Sequence, residues 1–297
     1  MLVPFFSLVG LVELRLRHVP NEYSSTKEAL DAKLGEVEIL ITGTSHAQGI
    51  EPSYLSHPAF NLGHASQSLY YDTELVSRYV DKIPNLKLVI FAISNHALEY
   101  RLMNSTESWR AGFYKHVYGI PNEDGEDLKL SNYSFIALLT PKEAVRRATG
   151  GFLGAAETEV RRNQTPVNDI KVGVNDAFGW KRAQHHEGLM RQSDLPFNVA
   201  ALDRGCELLK QRNVAVVFIT VPTDRTYYEH INVKSYQRMQ ETIKQISDKY
   251  GVRYFNYLRD QRFAPEDFID SDHLNGRGAE KFARILNEEV IDKYVQR

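Results

Sequence analysis

Five short runs of β-forming residues, separated by runs with helical spacing, constrain the fold of this 297-residue chain more than any other feature. The five runs are "VEILITG" (37–43), "AFNLG" (59–63), "KLVIFAIS" (87–94), "VAVVFITVP" (214–222) and "VRYFNYL" (252–258). The first, third and fourth are almost continuously apolar, which is typical of strands covered on both faces. Strands that alternate with helices indicate a parallel α/β sheet.

Four runs place their apolar residues at helical spacing. They are "SLYYDTELVSRYVDKI", "FNVAALDRGCELLKQRN", "KSYQRMQETIKQISDKYG" and "GAEKFARILNEEVIDKYV". Residues 101–195 break the alternation with turn-rich pieces such as "YGIPNEDGED" and "TGGFLG". We interpret this stretch as a large insertion between the third and fourth strands, because it shows no independent core.

The start of the chain, "MLVPFFSLVGLVEL", is mostly apolar. It is shorter than the roughly 20 residues of a spanning helix, and it lacks the basic start and cleavage site of a signal peptide. Three interpretations stay open: the remnant of a membrane anchor whose start is missing, an intact short anchor, or a core helix. The basic residues Arg15, Arg17 and His18 follow this segment, and the positive-inside rule would keep them on the cytoplasmic side of a membrane. That orientation conflicts with an exported catalytic domain. We therefore predict an apolar segment over 1–20 and one domain over 21–297 that carries the insertion.

Charge and cysteine content exclude several classes of protein. The chain has 36 basic and 38 acidic side chains, so its formal net charge is -2. It therefore lacks the excess of basic residues that is typical of a nucleic-acid-binding protein. Cys206 is the only cysteine, so neither an intramolecular disulfide nor a cysteine zinc site is possible. His185, His186 and Glu187 are adjacent, but no His-Glu-x-x-His motif is present. We predict no metal and no cofactor.

Polar or small residues follow three of the predicted strands. Ser45 follows the first, Gly63 the second and Asn95 the third, while Asp270 and His273 lie in the loop before the last helix. In an open parallel sheet, ligands bind beyond the carboxyl ends of the strands. We therefore expect these residues to meet at one edge of the sheet.

This set of residue types is suited to acyl transfer. Ser45 would be the nucleophile, although a serine here could also be a helix N-cap, and His273 would be its base. Asp270 would orient the imidazole, with Asp272 as the competing carboxylate. The backbone N–H groups of Ser45 and Gly63 and the side-chain amide of Asn95 would form an oxyanion hole.

These blocks resemble those of the SGNH hydrolases, also called the GDSL-like lipase/esterase superfamily. Gly43-Thr44-Ser45, Gly63, Asn95 and Asp270-to-His273 are similar to the four family blocks in order and spacing, over residues 37–295. The pieces "VPNEY", "GTSHAQGI", "AFNLGHASQSLYYD" and "DSDHLNGRGAEKF" also resemble a membrane-anchored bacterial branch that modifies acyl groups of cell-surface polysaccharides. The sequence departs from the family at Thr44, where aspartate is usual, at Ala92, and at His96, where aspartate is common.

The resemblance implies a three-layer α/β/α sandwich with a five-stranded, flavodoxin-like parallel sheet. It also implies a serine-dependent acyl ester hydrolase or O-acyltransferase, with hydrolysis favoured and acetyl esters of a carbohydrate as the substrate class. The expected location is the cell envelope, outside the cytoplasm, with membrane association through the N-terminal segment; a soluble cytoplasmic protein stays open. The alternative is an inactive SGNH-like binding or assembly component of a polysaccharide pathway. A lipase or phospholipase has no special support.

Four further residues are possible members of a substrate pocket. His46 and His64 each follow a key position, although satisfied or exposed histidines are commoner. Trp109 in "ESWRAGFYKHVYGIP" fits one face of a core helix or, alternatively, a sugar-stacking rim. Trp180 ends "GVNDAFGW", which is another candidate for a lid loop from its position alone.

Overall fold

The computed structural model describes residues 2–125, 130–139 and 174–295. Its strands are β1 (Ile39–Gly43), β2 (Ala59–Asn61), β3 (Leu88–Ala92), β4 (Ala215–Thr220) and β5 (Arg253–Asn256). All neighbouring strands pair in parallel, in the order β2-β1-β3-β4-β5. This is the flavodoxin-like order, which places a ligand site where the strand order reverses, between β1 and β3. The predicted fold class is confirmed.

Among the described residues, seven helices have ten residues or more. They are α1 (Leu2–Arg17), α2 (Glu22–Asp31), α3 (Leu69–Tyr79), α4 (Asp176–Leu189), α5 (Leu195–Gln211), α6 (Val233–Tyr250) and α7 (Gly276–Leu286). Shorter helices span Arg110–Phe113, Phe135–Leu138, Arg225–Tyr228 and Asp292–Tyr294. The four helices predicted from apolar spacing correspond to α3, α5, α6 and α7, and α6 ends at Gly251 with φ +69, a left-handed conformation that favours glycine.

The chain divides into two compact units. The first contains residues 1–32 and 106–165, and the second contains residues 33–105 and 166–297. The boundaries predicted from the sequence, at residue 20 and at about 101–195, stay a prediction. Within the first unit, the Tyr23 ring of α2 stacks on Phe113 at 5.2 Å and meets Tyr114 edge-on at 5.0 Å. Residues 126–129 and 140–173 of the predicted insertion lie outside the described residues.

In the first unit, α1 meets the short helix Phe135–Leu138 through a carboxylate. Glu13 accepts hydrogen bonds from the backbone N–H groups of Phe135 (3.0 Å) and Ile136 (3.1 Å), which are free donors at a helix start. Leu16 is buried. Among the described residues, none of the helices has both the length and the apolar character that a membrane crossing requires.

The core of the second unit lies around the sheet. The central strands β1 and β3 are buried at every position, whereas the edge strands β2 and β5 are only partly buried. Gly43 pairs with Ala92, and Ala92 pairs with Ile219 of β4, so these three strands end at the same level. The loops after them therefore start from one edge of the sheet.

The interpretation of "GVNDAFGW" as a loop was wrong from Asp176 onward. Asn175 caps α4 by accepting the Phe178 N–H at 2.9 Å. Gly179 lies within this helix, where a Cβ would stand 1.9 Å from the Thr226 carbonyl oxygen. The glycine that looked like a loop residue therefore permits a close helix contact.

Candidate active site

Ser45, His273 and Asp270 form a continuous chain of hydrogen bonds at the carboxyl edge of the sheet. Ser45 Oγ lies 2.9 Å from His273 Nε2. His273 Nδ1 lies 3.0 and 3.1 Å from the two Asp270 carboxylate oxygens. Since the carboxylate can only accept, Nδ1 carries a proton, and a neutral His273 would accept the Ser45 hydroxyl proton at Nε2. This is the geometry of a nucleophile, a base and an orienting acid.

The sharp turn after β1 places the Ser45 hydroxyl at this edge. Gly43 has φ +147, and a Cβ there would lie 2.6 Å from the Ala92 carbonyl oxygen. Thr44 then caps the helical turn Ser45–Gly49 by accepting the His46 N–H at 3.3 Å. The strand therefore ends in glycine and a capping threonine, which leaves the serine at the first position of the turn.

Asp270 shapes the loop that carries the base. Its Oδ1 accepts the backbone N–H groups of Asp272 (3.0 Å) and His273 (2.8 Å), as well as the imidazole. Asp272 approaches the same Nδ1 only to 3.5 Å. Of the two carboxylates, Asp270 therefore makes the shorter contact with the ring.

Asp272 is instead the centre of a buried polar cluster. Its side chain is fully buried, and Arg182 of α4 donates to both carboxylate oxygens, at 3.0 and 2.8 Å. His46 Nε2 lies 3.1 Å and His186 Nε2 lies 3.9 Å from Asp272 Oδ2. Burial raises the pKa of this carboxyl, but the charge of His273 and the hydrogen bonds from His273, His46 and Arg182 outweigh burial and hold the pKa well below 3.8.

The turn after β1 is linked to the Asp272 cluster by hydrogen bonds through His46, Ser94 and Thr44. Burial lowers the pKa of His46, which favours the neutral ring. Its Nε2–H donates to Asp272, so Nδ1 accepts from Ser94 Oγ at 2.9 Å. Ser94 in turn accepts from Thr44 Oγ1 at 2.7 Å. Thr44 is therefore a member of a fully hydrogen-bonded network.

Asn95 is held by a tyrosine. Tyr227 is fully buried and donates its hydroxyl proton to Asn95 Oδ1 at 2.9 Å. The Tyr227 hydroxyl oxygen itself lies 2.6 Å from His186 Nδ1, which must then be the donor because the hydroxyl proton is directed to Asn95. Burial lowers the pKa of His186 well below 6.5, so the ring is neutral with its proton on Nδ1. Within the described residues, Asn95 Nδ2 and the Ser45 N–H make no hydrogen bond, which leaves two donors for an oxyanion.

Gly63 lies at the same edge but its N–H is engaged. It donates to Asn61 Oδ1 at 2.8 Å. A Cβ on Gly63 would lie 2.8 Å from Ala47 Cβ and 3.0 Å from the Gly43 carbonyl oxygen, so the residue must be small. The structure explains the glycine by packing, and its role as an oxyanion donor stays a prediction.

The His273 ring is strongly basic in this setting. Burial lowers its pKa, but the Asp272 charge and the hydrogen bond to Asp270 outweigh burial and raise the pKa to about 10. The ring is therefore mostly protonated at neutral pH. Acceptance of the Ser45 proton becomes more frequent as the pH rises toward 10.

The four predicted pocket residues fall in different places. His46 and His64 are buried, and His46 belongs to the Asp272 cluster. Trp180 lies on α4 and is 51% exposed. Trp109 lies in the first unit, is 46% exposed and packs edge-on against Phe113 at 5.9 Å. Substrate contact by any of the four stays a prediction.

Sequence reasoning did not single out Arg182, Tyr227 or Ser94, and it considered His186 only as part of an adjacent histidine pair. Arg182 and His186 are four residues apart, so both lie on one face of α4. His185 lies on another face and is exposed. The four-residue spacing of a cation and an imidazole was the signal that could have found this face.

A group of three side chains has a spacing that a metal ion could use. One ligand atom each of His46, Asp272 and His273 lies within 4.8 Å of the other two, among the described residues. Hydrogen bonds already engage these atoms, and Arg182 holds a positive charge 2.8 Å from the same carboxylate. Like charges repel strongly when buried, so we assign the three side chains to the hydrogen-bond network.

No protein-family profile and no curated protein matches the sequence. Solved structures with a similar fold include a candidate acylhydrolase from Bacteroides fragilis, at 10% identity over 90% of this chain and 94% of that chain. Others are a GDSL-like lipase from Bacteroides thetaiotaomicron (12% identity, 92% and 99%) and a protein from Streptococcus pneumonia described as a candidate platelet activating factor (12%, 95% and 97%). The TM-score is 0.44 for each. Likenesses at this level do not establish a family for the chain.

Proposed function

We propose that this protein is a serine-dependent acyl ester hydrolase. The observation that carries the proposal is the chain of hydrogen bonds from Ser45 Oγ through His273 to Asp270, at 2.9 and 3.0 Å. The chain stands at the carboxyl edge of a parallel sheet, where such folds bind ligands. Few arrangements other than nucleophilic catalysis place a serine hydroxyl on a carboxylate-bound imidazole.

The reaction would proceed through an acyl-enzyme. Ser45 Oγ attacks the ester carbonyl while its proton passes to His273 Nε2. The Ser45 N–H and Asn95 Nδ2 donate to the oxyanion, and His273 then gives the proton to the leaving alkoxide. Water, activated by the same imidazole, releases the acid and restores Ser45.

The substrate class that we propose is the acetyl ester of a carbohydrate, which rests on the sequence resemblance. Trp180 offers an exposed ring, of the kind that sugars stack on, on the helix that also carries Arg182. If a sugar hydroxyl replaced water in the second step, the same residues would perform O-acetyl transfer. A location in the cell envelope stays a prediction.

A second candidate function is a non-catalytic binding or assembly module. The observation in its favour is the Gly63 N–H, which donates to Asn61 and not to the open site. An oxyanion hole short of one donor typically loses about 100- to 1000-fold in rate.

The decisive experiment is intact mass after exposure to a fluorophosphonate, at pH 8 and at pH 10. We expect one adduct on the wild type, forming faster at pH 10, and none on Ser45→Ala. Ser53→Ala is the matched control, because Ser53 lies in the same segment but bonds only to Glu51, with no imidazole near its hydroxyl. It should be labelled like the wild type. A folded wild type that is not labelled at either pH would reject the enzyme and favour the binding module.

Hydrolysis and transfer are separated by their products. Unlabelled enzyme would be incubated with an acetylated oligosaccharide, once alone and once with a second sugar as acceptor. Free acetate alone indicates a hydrolase, whereas acetylation of the acceptor by wild type but not by Ser45→Ala indicates a transferase.

A further inference from the structure

Asp272 lies between the base and the turn that carries Ser45. It is buried next to the base, with Oδ1 3.5 Å from His273 Nδ1. Its Oδ2 accepts a hydrogen bond at 3.1 Å from Nε2 of His46, the residue that follows Ser45. One carboxylate thus contacts the base and the turn that presents the serine.

Arg182 is the counter-ion that makes this burial tolerable. Its Nε and Nη2 bond the two Asp272 oxygens in a fork, at 3.0 and 2.8 Å. Such bidentate pairs fix both distance and plane. Burial of a carboxylate is costly unless cations or hydrogen bonds compensate it. The pair therefore fixes the position of Asp272 and offsets part of its negative charge.

The charges around the base can be counted. The groups that face His273 are Asp270 and Asp272 from its own loop, Ser45 and His46 from the turn after β1, and, behind Asp272, Arg182 and His186 from α4. His46 and His186 are neutral, since burial lowers the pKa of both. Two carboxylates and one guanidinium then leave one negative charge, which a protonated His273 cancels.

We propose that Asp272 and Arg182 are a positioning pair that holds the base in register with the turn that carries Ser45 and sets the charge of the His273 ring. This inference rests on the proposed function, because it assigns a role within that same site. Asp272 acts on the reaction through His273 and His46 and does not itself contact the reacting atoms.

The test is the pH dependence of fluorophosphonate labelling, together with direct NMR titration of the His273 imidazole, in three variants. Asp272→Asn removes the negative charge, so the His273 midpoint should fall by about one to two pH units. Labelling at pH 8 should then rise about tenfold for each pH unit of that fall. Arg182→Gln removes the opposing charge and should slow labelling at pH 8. The double variant Asp272→Asn/Arg182→Gln leaves no unpaired charge and should label faster than Arg182→Gln.

A merely structural role would not change the labelling rate in opposite directions in the two single variants. If both variants label more slowly with the His273 midpoint unmoved, the inference is overturned. If Asp272→Asn does not fold, the double variant takes its place, and a midpoint at or above that of the wild type rejects the proposal.

Glu99→Gln is the matched control. Glu99 is buried and also takes a forked pair of hydrogen bonds from an arginine, Arg238, at 2.7 and 3.1 Å, but it contacts none of the site imidazoles. Its labelling and the His273 midpoint should match the wild type. Because NMR reports the midpoint without any reaction, a wild type that shows the shifts but no labelling would reject the enzyme and not the charge assignment.

Discussion

Two buried carboxylates, Asp72 and Asp272, lie at the edge of the sheet that carries Ser45, and they differ in the charge of their neighbours. Asp272 faces two cations, the His273 ring and the guanidinium of Arg182. Asp72 faces only neutral donors, Thr42 Oγ1 and Gln67 Nε2, each at 2.6 Å, and the Gly43 N–H. Burial raises the pKa of Asp72 to about 7, against hydrogen bonds that lower it. The pKa of Asp272 stays well below 3.8. Equal burial therefore gives opposite ionisation, and the counter-ion decides which.

The difference suits the two positions. Asp72 supports the turn at Gly43, and hydrogen bonds are enough to fix a backbone. Asp272 stands beside an imidazole whose charge would change during the proposed reaction, where a permanent negative charge has an effect that a neutral acid would lack. The pH dependence of the two also differs. Asp272 favours folding above about pH 4, whereas Asp72 opposes folding by an amount that grows from about pH 4 to about pH 7 and stays constant above.

We expect the substitution Asp72→Asn to have the largest effect, on the pH dependence of the free energy of unfolding. The unfolded carboxyl ionises near 3.8 and the folded one near 7. The stabilisation from this raised pKa is complete below about pH 4 and is lost as the pH rises to 7. At about 1.4 kcal/mol per pH unit, the loss amounts to about 4 kcal/mol. Urea unfolding at pH 4 and pH 8 would measure this. The free energy of unfolding of Asp72→Asn, relative to that of the wild type, should rise by this amount between the two pH values.

Asp81→Asn is the control for that series. Asp81 is exposed, and its pKa is lowered by a hydrogen bond from Arg212, so its titration lies below pH 4. If Asp72→Asn and Asp81→Asn have the same pH slope between 4 and 8, the charge assigned to Asp72 is wrong.

Arg182→Met would bring Asp272 closer to the situation of Asp72. The variant removes the forked guanidinium from a buried carboxylate and leaves only the His273 charge beside it, and we expect the free energy of unfolding to fall by about 3 kcal/mol at pH 7. This is the low end for such a loss, because Arg182 is 28% exposed. Arg225→Met breaks an exposed pair with Glu229 and should cost below about 1 kcal/mol. Equal losses in the two variants would contradict the comparison.

Tyr227→Phe separates position from charge. The variant releases Asn95 Oδ1 and His186 Nδ1 without changing any charge near His273. Fluorophosphonate labelling should slow by about tenfold, which is less than the roughly 100-fold typical when an oxyanion donor is itself removed. The pH midpoint should stay where it is. A moved midpoint would show that the tyrosine acts on the base.

Thr42→Val is the smallest change. It keeps the side-chain shape and removes one donor from Asp72, at a cost of about 1 kcal/mol. Since the lost hydrogen bond lowers the Asp72 pKa, the midpoint should rise above 7. Carbon-13 shifts of the Asp72 carboxyl would measure it, and an unchanged midpoint would show that Gln67 and Gly43 alone set the pKa.

The sequence contained enough to predict the sheet and the line from Ser45 to Asp270. Strands β1 and β3 are apolar runs, as expected for strands covered on both faces of a sheet. The residues that follow them in the chain therefore lie at one edge of that sheet. Arg182 could not be placed in this way, because its contact with Asp272 depends on how α4 packs against a loop 90 residues further on. Asp72 looked like an ordinary acidic residue in the first turn of a helix. Nothing local distinguishes a solvated carboxylate from one that is buried under Gly43.

The hydrogen bond between Ser45 and His273 joins positions 228 residues apart in the chain. During synthesis the proposed nucleophile is made early, and by this proposal it stays chemically inert until the loop with His273 leaves the ribosome and docks. Any fragment cut or stalled before residue 270 would carry a serine with no partner. Reactivity at Ser45 therefore reports that the whole sheet, from its first strand to its last loop, has been assembled.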